Sequence, residues 1–167
     1  MSSAGAPDYP QHRPNVGIVL VNAKGEVWYG RRHGASGDWR WQFPQGGIDA
    51  GEDPADAALR ELWEETGVTA DKVEPLGRIP GWLAYDYPPE LAAHHPHGKK
   101  AWKGQKQAWF AFRYLGEDGD FDLEAHGEVE FDAWRWAPLS DAPGVIIPWK
   151  RPVYEQVAAH FADIARV

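Results

Sequence analysis

Residues 46–68 read GGIDAGEDPADAALRELWEETGV, and this stretch decides the fold because it marks where a helix starts and stops. Asp53 is a favoured N-cap residue, and Pro54 suits the first helical position, where its missing N–H costs nothing. Gly67 supplies the left-handed residue that closes many helices. The sequence therefore predicts a helix over 54–66. At about 100° per residue, Glu61, Glu64 and Glu65 share an arc of about 100°. Ala55, Ala58, Leu59, Leu62 and Trp63 form the expected core-facing side. Arg60 stands one turn before Glu64 and can pair with it.

Outward from this helix, Val16–Val21 (VGIVLV) is a continuous apolar run of strand length. A turn at Asn22–Gly25 and a second strand at Val27–Arg31 make a hairpin. Residues 34–51 read as a Gly- and Trp-rich loop with a short strand near Trp41. Val73–Ile79, Gln107–Tyr114 and Ala133–Trp136 are further strands, and Trp149–Arg166 reads as an amphipathic helix. Strands and helices alternate irregularly, which predicts an α/β fold with a mixed sheet flanked by helices. One domain over 13–167, preceded by a flexible N-terminus at 1–12, accounts for the chain. Residues 81–104, rich in aromatics, Pro, His and Lys, read as a long connection of the kind that carries function.

The 167 residues carry 17 Lys and Arg against 25 Asp and Glu, a net charge of −8. Such acidity opposes non-specific binding to polyanions. The absence of cysteine excludes disulfides, thiolate metal sites and a Cys nucleophile. No apolar run approaches membrane-spanning length and no leader is read, so a cytoplasmic protein is expected. The acid is concentrated: residues 46–68 hold seven acidic side chains and a single basic one, Arg60. Three carboxylates on one helix face repel one another, and they suit a hard divalent cation that takes oxygen ligands. The Gly46-x₄-Gly51 spacing superficially resembles a phosphate-binding loop. Glu52-Asp53 follows where Gly-Lys-Ser/Thr would be needed, so the loop must meet phosphate through a metal.

The same residues resemble the Nudix hydrolases, whose signature is G-x₅-E-x₇-R-E-U-x-E-E-x-G-U with U aliphatic. Gly46, Glu52, Arg60, Glu61, Leu62, Glu64, Glu65, Gly67 and Val68 stand at every specified position. The resemblance implies an α/β/α sandwich with a mixed, partly antiparallel sheet. It also implies Mg²⁺- or Mn²⁺-dependent hydrolysis of a nucleoside diphosphate linked to another moiety, with two or three ions when substrate is bound. By position, Glu61, Glu64 and Glu65 would be metal ligands, joined by the Gly46 carbonyl, while Glu52 and Arg60 orient the loop–helix and Gly47 and Gly67 shape it. Glu61 or a nearby loop glutamate would act as base.

Segments outside the signature resemble the bacterial RNA pyrophosphohydrolase branch, which overlaps the dinucleoside polyphosphate hydrolases. They are 13–17 (RPNVG), 41–47 (WQFPQGG), 104–107 (GQKQ), 130–136 (EFDAWRW) and 150–154 (KRPVY). By this resemblance Glu130 adds a fourth carboxylate from a loop. Tyr85 lies seventeen residues past Val68, where diadenosine polyphosphate hydrolases carry a marker tyrosine. The expected reaction is removal of pyrophosphate from 5′-triphosphate ends of RNA. Hydrolysis of diadenosine tetraphosphate-like substrates is the alternative, followed by MutT-type nucleotide housecleaning and a silent nucleotide-binding module. Arg13, Arg31, Arg32, Lys106 and Lys150 are candidate phosphate contacts, and Gln45 is a further candidate substrate contact. Trp149 is the candidate base platform and Tyr85 a weaker contact. Trp28, Trp109, Trp134 and Trp136 are assigned to the core. His94, His95 and His97 are read as ordinary loop residues. With metals offsetting the acidic segment, contact with RNA is expected at the 5′ end, with weak affinity along the strand.

Overall fold

A computed structural model describes residues 8–92 and 102–165. His94, His95 and His97 lie outside these residues.

Strand β1 (His12–Val21) is the axis of the fold. Its apolar residues alternate between two faces, as strand geometry requires. Val16, Ile18 and Leu20 point to one core, and Val19 and Val21 to the other. β2 (Val27–Arg32) returns antiparallel, with Val21 opposite Val27. The turn between them is closed by the Asn22 Oδ1, which accepts the N–H groups of Lys24 and Glu26. On the other side of β1 lies β7 (Gly104–Tyr114), parallel to it from His12↔Gly104 to Val21↔Arg113.

Four more strands complete this mixed sheet. β3 (Trp41–Gln42) and β8 (Phe131–Ala137) pair antiparallel with β2; β5 (Val73–Arg78) and β6 (Leu83–Asp86) pair antiparallel with β7. A short β4 (Gln45–Gly47) lies antiparallel against β1, with Val16 opposite Gly46.

Helix α1 (Pro54–Thr66) covers one face. Its caps are those expected: Asp53 accepts from the Ala55 N–H, and Gly67, at φ 79°, donates to the Trp63 carbonyl. Two short helices, α2 (Pro89–Ala92) and α3 (Ala142–Val145), precede α4 (Arg151–His160), which covers the opposite face. α4 buries Val153, Tyr154 and Val157 against Phe43, Trp109 and Tyr29. The result is an α/β/α sandwich.

Several expectations change. The C-terminal helix is shorter than 149–166: Trp149 sits in a 3-10 turn, Pro148–Lys150, and the chain past His160 is turn, although Phe161 stays buried. The expected 81–104 connection contains β6, which forms because β7 offers it a partner edge. The N-terminal lead-in is tied down from Asp8. Its carbonyl accepts from Lys106 Nζ at 2.6 Å, Tyr9 packs edge-on against His12, and His12 Nε2 meets Asp86 Oδ1 at 2.7 Å. Trp28 and Trp109 are buried, but Trp134 and Trp136 are only half-buried. Trp63, assigned to the core side of α1, is 41% exposed. The buried stripe runs through Ala57, Ala58, Leu62, Glu65 and Thr66, so it is rotated toward the carboxylates and leaves Trp63 outside.

Candidate active site

The ladder between β1 and β4 holds Gln45, Gly46 and Gly47 against the side of α1. The consequence is a close approach: a side chain on Gly46 would fall inside the Glu61 carboxyl group. Glycine is needed there so that backbone and carboxylate can lie together. From β4 the Gln45 N–H donates to Glu65 Oε1 at 3.2 Å.

Arg60 organises the acid. Its Nε and Nη2 donate to the two Glu52 oxygens, each at 2.9 Å, and Nη2 also donates to the Gly47 carbonyl at 2.8 Å. Nη1 reaches Glu61 Oε2 at 3.0 Å and the Glu64 carboxylate at 3.3 Å. Glu52 in turn accepts from the Asp49 N–H at 3.0 Å. These hydrogen bonds, those of Arg60 foremost, hold the Glu52 carboxyl down at about 2. The guanidinium is raised above its already high value, mainly by Glu52.

Glu65 behaves oppositely. Burial pushes its carboxyl well above the usual range, and the charges of Glu130 and Glu61 add to the shift. Glu61 is also raised, first by burial, with Glu64 adding and Arg60 opposing. Glu65 stands one turn after Glu61 on α1, and like charges so placed favour a proton or a cation at the pair. Among the described residues no three acidic or histidine side chains are already gathered as a ligand set, since Arg60 draws Glu61 and Glu64 toward itself. The donors nevertheless fit a divalent cation. They are hard oxygens, and their crowding is charge that an ion would offset.

Arg13, Gln45, Gly46, Glu61, Trp63, Glu64, Glu65, His126 and the 128–130 segment line one cleft of about 700 Å³. The structure thus brings Glu130 to the signature carboxylates, across a loop from α1. Arg13 lies over Gly47. The remaining candidates divide. Lys150 is depressed to about 8, first by burial, then by Arg32, with Glu130 opposing. Its Nζ stands 5.6 Å from the Tyr85 ring and 5.3 Å from the Trp149 ring. Trp149 and Tyr85 meet edge-on at 5.1 Å, and the buried Tyr85 hydroxyl has no partner. These four form a basic, aromatic corner near Glu130. Arg31 and Lys106 do not join it. Arg31 is paired with Asp132 at 2.6 Å beyond an irregularity in β2, and Lys106 is held by Asp8 and the Trp82 ring.

A family model described as the NUDIX domain matches residues 11–157. The chain belongs to the Nudix family. Among the relatives of this Nudix chain, one named RNA pyrophosphohydrolase, from Caulobacter vibrioides, is 57% identical over 159 residues, covering 95% of this chain and 91% of that one. Another of that name, from Acidiphilium cryptum, is 49% identical over 157 residues, covering 93% of each. The fold is shared with an E. coli dihydroneopterin triphosphate pyrophosphohydrolase (TM-score 0.66, 19% identity, 89% of this chain and 98% of that one). It is shared also with a C. elegans Ap4A hydrolase (TM-score 0.60, 22% identity, 90% and 98%). Nudix hydrolases generally use divalent metal ions, the ligand class that the donor set of this Nudix site fits.

Two cleft residues escape the sequence reading. Trp63 and His126 lie against each other with ring centroids 3.6 Å apart and the planes tilted by 41°. His126 has no periodic neighbours in a loop, and Trp63 reads as core on a helical wheel. The one available signal is that Trp63 sits directly before Glu64.

Proposed function

We propose that this Nudix hydrolase removes pyrophosphate from the 5′-triphosphate ends of RNA with the help of bound Mg²⁺ or Mn²⁺, two or three ions when substrate is present. The observation that carries the reading is the pairing of a four-glutamate cleft with a corner holding Lys150, Arg32, Tyr85 and Trp149. That corner matches a chain end bearing both phosphates and a base. The shared name of the curated relatives supports RNA as the carrier of that end.

In this reading Glu61, Glu64, Glu65, Glu130 and the Gly46 carbonyl hold the ions. The metal supplies charge neutralisation on phosphate and a water of lowered pKa. Glu61, or Glu130 from its loop, would be the group that accepts a proton from the attacking water. Arg13 and Gln45 meet phosphate oxygens on the cleft wall, Lys150 and Arg32 hold the far phosphates, and Trp149 receives the first base. The test compares turnover of a triphosphorylated RNA oligonucleotide with that of diadenosine tetraphosphate. Faster attack on RNA is expected; an enzyme that spares RNA and consumes the dinucleotide overturns the proposal.

Lys150 adds a pH signature. Below about 8 its ammonium is charged and can hold phosphate; above it the charge is lost. In the free enzyme kcat/KM should therefore fall as pH rises through about 8. Lys150→Arg, which keeps its charge, should flatten that alkaline limb. A limb unchanged in the variant removes Lys150 from phosphate binding.

A further inference from the structure

The loop that brings Glu130 to the cleft runs from Phe121 to β8 and contains no regular secondary structure. Its position is set by the packing of Leu123 on the core and by three further contacts. At its start the Asp122 N–H donates to the Thr66 carbonyl at 2.8 Å, fixing it to the end of α1. At its end the His33 N–H donates to the Glu130 carbonyl at 2.9 Å, fixing it to the end of β2. Between them the His126 ring rests on Trp63, four residues before Glu130. Trp63 is flanked in sequence by Leu62 and Glu64 and lies two residues from both Glu61 and Glu65 along α1. Exposing 41% of an indole here sacrifices burial that a small residue would not need. The ring pair lines the same cleft as Glu61, Glu64, Glu65 and Glu130.

We infer that Trp63 and His126 are positioning residues: their ring contact clips the loop onto α1 and so sets Glu130 against Glu65. This rests on the reading of Glu130 as a fourth metal-site carboxylate. Leu123 packs on the core beneath α1, but the hydrogen bonds of 124–129 stay within the loop, so the His126 ring is what ties this stretch to α1, and a carboxylate displaced by an ångström is lost to the site. The aromatic faces supply the missing constraint with two side chains of few rotatable bonds.

The test measures Mn²⁺ affinity by calorimetry, together with kcat and KM on triphosphorylated RNA, in His126→Ala, Trp63→Ala, Glu130→Gln and the His126→Ala/Glu130→Gln double variant. Outer-shell changes at metal sites cost roughly 10–100-fold, so His126→Ala should lower Mn²⁺ affinity and kcat about tenfold with KM little changed. In the Glu130→Gln background it should add nothing, because the two would act through one carboxylate. His126→Phe, which keeps a flat ring, should restore most of the loss. Trp63→Leu, which keeps apolar bulk without a ring, serves where Trp63→Ala lowers the thermal midpoint. Additive effects in the double variant would overturn the inference. So would a rise in KM alone, growing with RNA length, since that would make the rings a base platform. If Glu130→Gln by itself leaves Mn²⁺ binding and turnover intact, the role of Glu130 fails and the clip fails with it. If Glu130→Gln is impaired but His126→Ala is not, only the clip fails.

Discussion

Glu64→Gln should lower kcat by more than about 100-fold, because even outer-shell substitutions at metal sites cost roughly 10–100-fold and Glu64 is proposed as a ligand itself. The substitution preserves size and the ability to accept from Arg60, but removes the charge and one of the two hard oxygens. Its structural cost is small. The side chain is 41% exposed and its link to Arg60 is an i,i+4 pair at 3.3 Å. Such surface pairs contribute about 0–1 kcal/mol, and Arg60 keeps both bonds to Glu52. Circular dichroism and the thermal midpoint should therefore stay near those of the parent while turnover at saturating Mn²⁺ collapses. Unchanged activity refutes the metal assignment.

Gly46→Ala should be nearly as damaging to catalysis, for a different reason. The backbone at 46 does not occupy the left-handed region, so alanine can adopt it. The added methyl, however, coincides with the Glu61 carboxyl. A carboxyl at the end of a flexible side chain can swing away at little cost to the fold. What is lost is its place between the Gly46 backbone, Glu65 and Arg60. The expected result is a drop in kcat on the order of 10²-fold, comparable to removing one preorganised charge-stabilising group, with Mn²⁺ affinity falling in parallel and the melting curve hardly moved. A fully active Gly46→Ala enzyme would show that Glu61 works equally well elsewhere, against the proposed ligand set.

The parts that were legible in the sequence share one property: their causes are local. The ends of α1 follow from Asp53, Pro54 and Gly67, and the β1–β2 hairpin from an apolar run beside Asn22–Gly25. The acid-rich face of α1 was readable at 100° per residue, as was its pairing with Arg60. What failed depends on partners distant in sequence. β4 is three residues of Gln and Gly that become a strand only because β1 lies beside them. β6 sits in a segment without alternation and pairs because β7 extends back to Gly104. Trp63 was misplaced because a wheel centred on apolar residues ignores that Glu65 is buried. Arg31 and Lys106 looked like free cations until Asp132 and Asp8 were found against them.

Arg60 is also a resident counter-ion. Its one positive charge is shared among Glu52, Glu61 and Glu64 while it binds the Gly47 carbonyl, so part of the acid on α1 is offset without any bound metal. Small zinc domains have no such substitute and unfold when stripped. For this chain the expected result of chelation is a thermal midpoint near that of the untreated protein with turnover lost; a midpoint that collapses would assign the helix's stability to the metal instead.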